Sequence, residues 1–413
     1  MSMKKICMTM VLLVVALLTM AQRTVVSGTV SDSKTGRPIG QASVSATGTS
    51  IAVVTNDDGY FTLKTEQTPE AIFVSHLGYQ ARRIKLSKPG SNDGEPILLD
   101  IQLKATSINL GEVVVWPENP RQLVDIAISK IPANYSRRPE LFKGFYRETA
   151  MKRQHYIYVA EGVVDMYKSA YGRDGWRDGV AIVKGRRLLS PKQGDTLSMK
   201  VMGGPVLPVQ LDVVKNTALL LNAAELDNYF FSMGPPMQID GRQQYVVGIT
   251  PRVVLPYPLY YGRLYIDRET LAFTRVELEL DMSDRSKATQ FMLVKKPAGV
   301  RFKPKELSVL IDYKQEGSVT RISYVRNTFR FNCDWKRRLF STSFTAFCEM
   351  VVTDRYADEE VHPIKGRDTF DSRDMFYDRV DYFRDPQFWE DYNIIEPSTT
   401  LDKAIGRIMK RYE

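Results

Sequence analysis

The 413-residue chain is poor in the side chains that carry most chemistry: it has only 3 histidines, 3 cysteines and 4 tryptophans. His76, His155 and His362 stand far apart. The residues three places after them are Tyr79, Tyr158 and Lys365, so the His-x-x-Glu pair of a zinc carboxypeptidase is missing. Neither H-E-x-x-H nor the G-x-S-x-G elbow occurs, and neither glycine-rich phosphate loop, G-x-x-x-x-G-K-[ST] or G-x-G-x-x-G, is found. A Cys–His nucleophile would have to pair Cys333 or Cys348 with a remote histidine. These gaps exclude the commonest hydrolase and nucleotide-binding signatures, and no metal or cofactor is expected. No stretch reaches the roughly 18 consecutive apolar residues of a membrane-spanning helix.

What is present describes a folded, exported protein. An apolar fraction of 43% with 10% aromatics is ample for large cores, and the length predicts two or three domains. Lys4 and Lys5 precede an apolar run from Met10 to Leu18, and Thr19-Met20-Ala21 supplies small residues for cleavage. Residues 1–21 therefore read as a secretory leader cut after Ala21. The early cysteine, Cys7, precedes the apolar run, so a lipid anchor is not expected. The expected location is the periplasm or the outer membrane's periphery.

Without Lys4 and Lys5 the formal charge of +9 falls to +7, spread over small clusters such as Arg186-Arg187 and Lys336–Arg338. Nucleic acid is not an expected partner of an exported chain. Scattered basic residues mark a solvated face or a weak attraction to an anionic membrane surface. In an oxidising compartment Cys333 and Cys348 have two readings. They form a disulfide worth about 3 kcal/mol, or they remain buried thiols on neighbouring strands.

From Thr24 the chain alternates apolar and polar residues in seven bursts: 25–30, 42–48, 50–55, 60–65, 71–79, 82–86 and 96–103. Such spacing, with turn residues between, predicts a seven-stranded β-sandwich. Within it, "TNDDGYFTL" (55–63) poses a choice between a cation loop and a turn. An EF-hand register with Gly59 at its sixth place puts Val54 first and Thr65 twelfth, where carboxylates are required. Asn56, Asp57, Asp58 and Gly59 instead predict a tight hairpin turn, with Asx side chains bonding local backbone and Gly59 supplying positive φ. Gly36-Arg37-Pro38 reads as a turn, Gly78 as a close backbone approach, and His76 as a structural histidine.

"GTVSDSKTGRPIGQASVSATGT", "TNDDGYFTL" and "VSHLGYQ" together resemble the carboxypeptidase regulatory-like domain, a transthyretin-like sandwich, over residues 24–115. The stretch 101–115, "IQLKATSINLGEVVV", resembles the end of that domain where it precedes TonB-dependent outer-membrane receptors. The resemblance implies a fold and no particular activity, because the domain is grafted onto many partners.

Residues 116–413 form the larger second domain, with the boundary at "VVWPENPRQ" (114–122). Leu123, Val124, Ala127, Ile128 and Ile131 predict a helix ended by Pro132, and Leu211, Val214, Ala218 and Leu221 a second helix over 209–221. Residues 142–167 form an aromatic strand region, and 172–194 read as an exposed loop. Strands are expected at 244–250, 260–267, 272–280, 288–296, 305–315, 320–331 and 344–354. Sequential strands with short turns predict an antiparallel meander or half-barrel with a few helices, so the chain as a whole is mainly β. Ser398 or Thr399 would cap a terminal helix with Leu401, Ile405, Ile408 and Met409 on its apolar face.

The segment 262–280, "GRLYIDRETLAFTRVELEL", resembles carriers of the outer-membrane lipoprotein-sorting type. "FWEDYNIIEP" (388–397), joined to the N-terminal module, is similar to a family of exported Gram-negative proteins named for the regulatory-like domain. Asp195-Thr196-Leu197 resembles a short bacterial O-glycosylation acceptor. Trp116, Trp176, Trp389 and the run Tyr257–Tyr261 would line a groove or pack internally.

Three functions are therefore in view. The first is a non-enzymatic envelope protein whose sandwich is an interaction module and whose larger domain binds an apolar or envelope ligand. The second is an accessory of a TonB-dependent uptake system. The chain is not itself such a receptor, because about 300 residues cannot supply a plug and a barrel of roughly 22 strands. The third is a hydrolase using dispersed carboxylates such as Asp358-Glu359-Glu360, Asp378, Asp381 and Glu390-Asp391, which requires a facing pair.

Overall fold

The computed structural model describes residues 23–86, 95–106, 119–172, 178–192, 200–201, 203–336, 340–372, 374–382, 388–390 and 392–410. The leader with Ala21, the boundary segment with Trp116, Trp176 and the Asp195-Thr196-Leu197 motif lie outside the described residues.

All seven expected strands of the N-terminal module form: β1 (Thr24–Asp32), β2 (Ser43–Ala46), β3 (Ala52–Val54), β4 (Tyr60–Thr65), β5 (Ala71–Ser75), β6 (Arg82–Lys85) and β7 (Ile97–Leu103). They divide into a sheet ordered β4-β1-β7 and a sheet ordered β3-β2-β5-β6. Alternation sends Val26, Val30, Val44, Phe61, Leu63, Ile72 and Val74 into one core between the sheets.

The larger domain opens with α1 (Pro120–Ser129) and α2 (Ile131–Asn134). The Asn119 carboxamide oxygen accepts from the Arg121 and Gln122 amides at 3.0 and 3.2 Å, and proline takes the first helical position. Pro132 does not end helical structure but opens the second short helix, where its missing N–H costs nothing.

The body is one open sheet of eleven strands. Its members are β8 (Glu140–Lys152), β9 (His155–Lys168), β10 (Gly179–Leu189), β12 (Tyr229–Ile239), β13 (Arg242–Pro251), β14 (Tyr260–Asp267), β15 (Phe273–Leu280), β17 (Val300–Glu316), β18 (Val319–Trp335), β19 (Thr342–Arg355) and β20 (Asp381–Tyr382). The meander runs β12-β13-β14-β15-β17-β18-β19 and continues through β8-β9-β10-β20, so the earliest strands add to the edge left by the latest. A separate small ladder joins β11 (Lys200–Val201) to β16 (Leu293–Lys295). The fold is mainly β, as expected.

Three local expectations change, and one strand is added. Residues 172–194 contain β10, paired with β9, rather than loop alone. Residues 229–239 form the edge strand β12; Pro235 and Pro236 sit at a register shift between Gly234 and Met237, where a sheet tolerates proline. The strand expected over 288–296 is α5 (Arg285–Met292) followed by β16. Asp284 starts that helix by accepting from Ser286 and Lys287, and Ala288 and Met292 bury one face. The helix expected over 209–221 breaks into α3 (Leu207–Gln210), a 3-10 turn at Thr217–Leu219 and α4 (Ala223–Leu226).

This broken segment fills one face of the sheet. Val206, Leu207 and Val209 pack with Tyr146, Val164 and Phe329, while Val213, Val214, Leu220 and Leu226 pack with Val247, Leu264 and Ile311. Asp212 is completely buried beneath it, accepting from the Tyr171 and Tyr313 hydroxyls at 2.7 Å and pairing with Lys168 at 2.8 Å. Burial alone would raise its carboxyl pKa, but the lysine and hydroxyls outweigh burial and lower it. The opposite face is covered by the C-terminal tail, by α6 (Thr399–Met409) and by the sandwich.

Candidate functional site

The site is a cleft between the sandwich and the second face of the large sheet, and its walls are fixed by the turn at residues 56–59. Asn56 Oδ1 accepts from the Asp58 and Tyr60 amides at 3.0 and 2.9 Å, and Gly59 adopts φ 76°. A side chain at Gly59 would run into the Val30 carbonyl. The segment is a turn, though not the hairpin expected: β3 and β4 belong to different sheets, so it makes a corner between them. Its remaining polar groups reach the other domain. Asn56 Nδ2 donates to Pro397 O at 3.0 Å, Asp58 Oδ2 accepts from Thr399 N at 2.6 Å, and Asp57 faces Arg326 at 3.6 Å.

The tail motif completes the joint. Lys64 N donates to Asn393 Oδ1 at 2.7 Å while Asn393 Nδ2 donates to Lys64 O at 2.9 Å, and Lys64 Nζ reaches the carbonyls of Trp389, Glu390 and Tyr392. Trp389 is buried against Phe145, with its indole N–H on Glu161 at 3.3 Å. Glu161 lies between Arg147 and Arg186 at 2.7 and 3.0 Å, and Arg147 also donates to Ile395 O. Burial pushes the Glu161 carboxyl up; the two arginines overcome this and leave it below its ordinary value. The aromatic tail therefore docks on its own protein. In the Tyr257–Tyr261 run, Leu259 is buried whereas Tyr257 and Tyr261 are each 45% exposed.

Three serines of the sandwich reach across the cleft. Ser75 donates to Asp240 at 2.5 Å, Ser50 to Asp354 at 2.5 Å, and Lys314 donates to Ser45 at 2.6 Å. Gly78, at φ 79°, brings its amide within 3.1 Å of Gln238 O, so the close approach read at this glycine is to the second domain. Between these contacts lies a narrow cleft with a volume of about 60 Å³, whose lining includes His76, Asp240, Arg275, Asp312, Lys314 and Glu316. A second hollow continues it past Arg242, Gln244 and Asp267.

Alternation along β17 aims Asp312, Lys314 and Glu316 at the sandwich and Tyr313 at the opposite core. Arg275 bridges Glu277 and Asp312 at 2.9 and 3.1 Å. Burial raises the pKa of Asp312, an effect Arg275 opposes and Asp240 reinforces. Burial likewise raises Glu316 and lowers Lys314. His76 is lowered to about 4 by burial and by the Arg275 charge, and its Nδ1 lies 3.0 Å from Leu77 O. Strained ionisation of this kind inside a cleft marks candidate functional positions. In the sequence these residues are ordinary polar positions of alternating strands, and their spacing of two along β17 is the only signal they leave.

Cys333 and Cys348 are both buried and form no disulfide. Cys333 pairs with Thr342 and Cys348 with Asn327 on neighbouring strands, which separates them by six positions, about 20 Å along the ladder. A disulfide needs Cα atoms within roughly 7 Å, so this arrangement holds two thiols and no bridge. Burial pushes Cys333 up to about 12, and Cys348 also lies above the usual thiol range through burial and Glu148. Among the described residues no group of three His, Cys, Asp or Glu side chains is placed to hold a metal ion. None of their helices is long and apolar enough to cross a membrane.

Comparison with known proteins gives the N-terminal module its family: residues 26–115 match the CarboxypepD_reg-like domain. No curated protein matches the sequence. Among solved structures, a DUF1329 family protein from Desulfovibrio piger is 11% identical, covering 60% of this chain and 96% of its own, with a TM-score of 0.28. An outer membrane lipoprotein-sorting protein domain from Vibrio parahaemolyticus is 12% identical, covering 59% and 95%, with a TM-score of 0.26. A LolA superfamily protein from Nitrosomonas europaea is 11% identical, covering 57% and 96%, with a TM-score of 0.20. Overlaps of this quality do not define a shared fold.

Proposed function

We propose that this chain is a non-enzymatic binding protein of the cell envelope, and that a polar, charged ligand occupies the cleft between its two domains. The observation that carries this reading is the row Asp312, Lys314 and Glu316. These ionisable groups are half-buried and held in a walled but open space, with pKa values displaced by that burial. A ligand bearing complementary charge and hydrogen-bonding groups relieves their desolvation. The other face of the large sheet is packed by the chain's own residues 206–226.

The geometry favours binding over catalysis. Ser75 and Ser50 spend their hydroxyl protons on carboxylates, and His76 is held too acidic to serve as a base poised near neutral pH. The sandwich then acts as a fixed wall of the site.

The test is native purification of the exported protein without detergent, followed by mass spectrometry of aqueous and organic extracts. A stoichiometric polar compound that is lost from a Lys314→Glu variant supports the cleft. A stoichiometric lipid retained by that variant overturns it in favour of an apolar carrier.

A further inference from the structure

The narrow interdomain cleft continues into the hollow lined by Gln244, which encloses about 600 Å³, a volume in the range of small-molecule sites. Three tight turns rim it: Thr47–Ser50 of the sandwich, Asp240 between β12 and β13, and Glu316-Gly317 between β17 and β18. Asp240 and Gly241 take φ values of 54° and 78°, the two positive angles of a type I′ hairpin. Ile239 faces Arg242 in the ladder, so this two-residue tip carries the Asp240 carboxylate to the sandwich.

Five charged side chains line the hollow: Asp240, Arg242, Asp267, Lys314 and Glu316. Three of them already have ionic partners, Arg242 with Asp267 at 2.6 Å and Glu316 with Arg321 at 3.4 Å. The other two hold neutral groups of the sandwich. Asp240 accepts from Ser75 at 2.5 Å, and Lys314 donates to Ser45 at 2.6 Å with its Nζ 5.8 Å from the centre of the Phe73 ring. Every residue lining the hollow is described, and among the described residues neither Asp240 nor Lys314 sits in an ion pair. A half-buried ion held by a hydroxyl keeps much of its desolvation cost, and a group of opposite charge removes more of it.

We infer that this hollow takes a zwitterion, a free amino acid or a short peptide, whose ammonium group meets Asp240 and whose carboxylate meets Lys314. The inference rests on the cleft reading above and narrows it to one class of ligand. Asp240 is an acceptor for ammonium protons, and the Lys314 ammonium offers donors to a carboxylate. Phe73 supplies apolar surface beside the lysine for the ligand's carbon skeleton.

The test is calorimetry on the full mature chain, with each of the standard amino acids and with trialanine as probes. The wild type is expected to bind at least one of them. The N-acetyl and the amide forms of that probe each lack one charge and are expected to bind about tenfold more weakly. Asp240→Asn is expected to remove the preference for a free ammonium group, and Lys314→Gln the preference for a free carboxylate. A wild type that binds no probe at millimolar concentration overturns the inference. So does one that binds the acetylated or amide form as tightly as the zwitterion, a comparison that needs no variant to fold. Binding of an amino acid alone assigns a free amino acid, and binding of trialanine alone assigns a peptide. A co-purifying polar compound of a single charge sign overturns the zwitterion and leaves the cleft reading standing, whereas a lipid retained by Lys314→Glu overturns both.

Discussion

Asn393 holds Lys64 by both ends of its peptide group: the carboxamide oxygen takes the Lys64 amide proton and the carboxamide nitrogen donates to the Lys64 carbonyl. A side chain here mimics the pairing of a neighbouring strand, and it joins residues 329 positions apart. This contact and the three carbonyls gathered by Lys64 Nζ turn two domains into one body with a defined cleft between them.

Replacing Asn393 with Ala removes both bonds and leaves the Lys64 amide and carbonyl to water. Each bond contributes on the order of 1 kcal/mol, so a loss of about 1–2 kcal/mol is expected in denaturant unfolding. Hydrogen exchange should accelerate at Lys64 while the core of the eleven-stranded sheet keeps its protection. Unchanged exchange at β4 would show that the tail does not hold the module.

Glu161 neutralises two buried arginines, so Glu161→Ala is expected to cost about 3–5 kcal/mol. Its carboxyl pKa is depressed in the fold, since the arginines outweigh burial. The unfolded state therefore binds the proton more readily. The stabilisation is complete above the ordinary glutamate value of 4.5 and disappears as pH falls through the lower folded value. Thermal melts of the wild type should show a loss of stability below about pH 4.5 that is much smaller in Glu161→Gln.

The side chains of Asn56, Asp57 and Asp58 in the turn all engage protein groups. Calcium or a chelator is expected to leave the melting temperature unchanged, whereas Asn56→Ala, which loses bonds to Asp58, Tyr60 and Pro397, should lower stability by about 1–3 kcal/mol. A calcium-dependent rise in melting temperature would restore the cation-loop reading.

Cys333 and Cys348 are expected to react with a thiol reagent only after unfolding, because burial keeps both protonated and inaccessible. Reductant should change neither the mass of the alkylated, unfolded chain nor the melting temperature. Two alkyl groups taken up only after reduction would establish the bridge that the strand register forbids.

The strand pattern of this protein was written locally. Alternation at 24–32, 60–65, 97–103, 260–267 and 319–335 specifies pleated strands with one buried side, and Ser398 together with Leu401, Ile405 and Ile408 specifies a capped amphipathic helix. Period and capping depend on neighbours a few residues away, so one sequence carries them. Contacts between residues far apart in the chain decided the rest. Asp212 and Lys215 lie where the expected helix is interrupted, and their partners, Lys168, Tyr171, Tyr313 and Ser169, are on other elements. The corner at Asn56 became an interdomain joint only when Pro397 and Thr399 arrived from the far end of the chain. The cleft exists for the same reason: Ser75 and Asp240, or Ser45 and Lys314, acquire meaning when the sandwich docks, since a polar side chain's pKa and role are set by the charges and the water that tertiary structure leaves beside it.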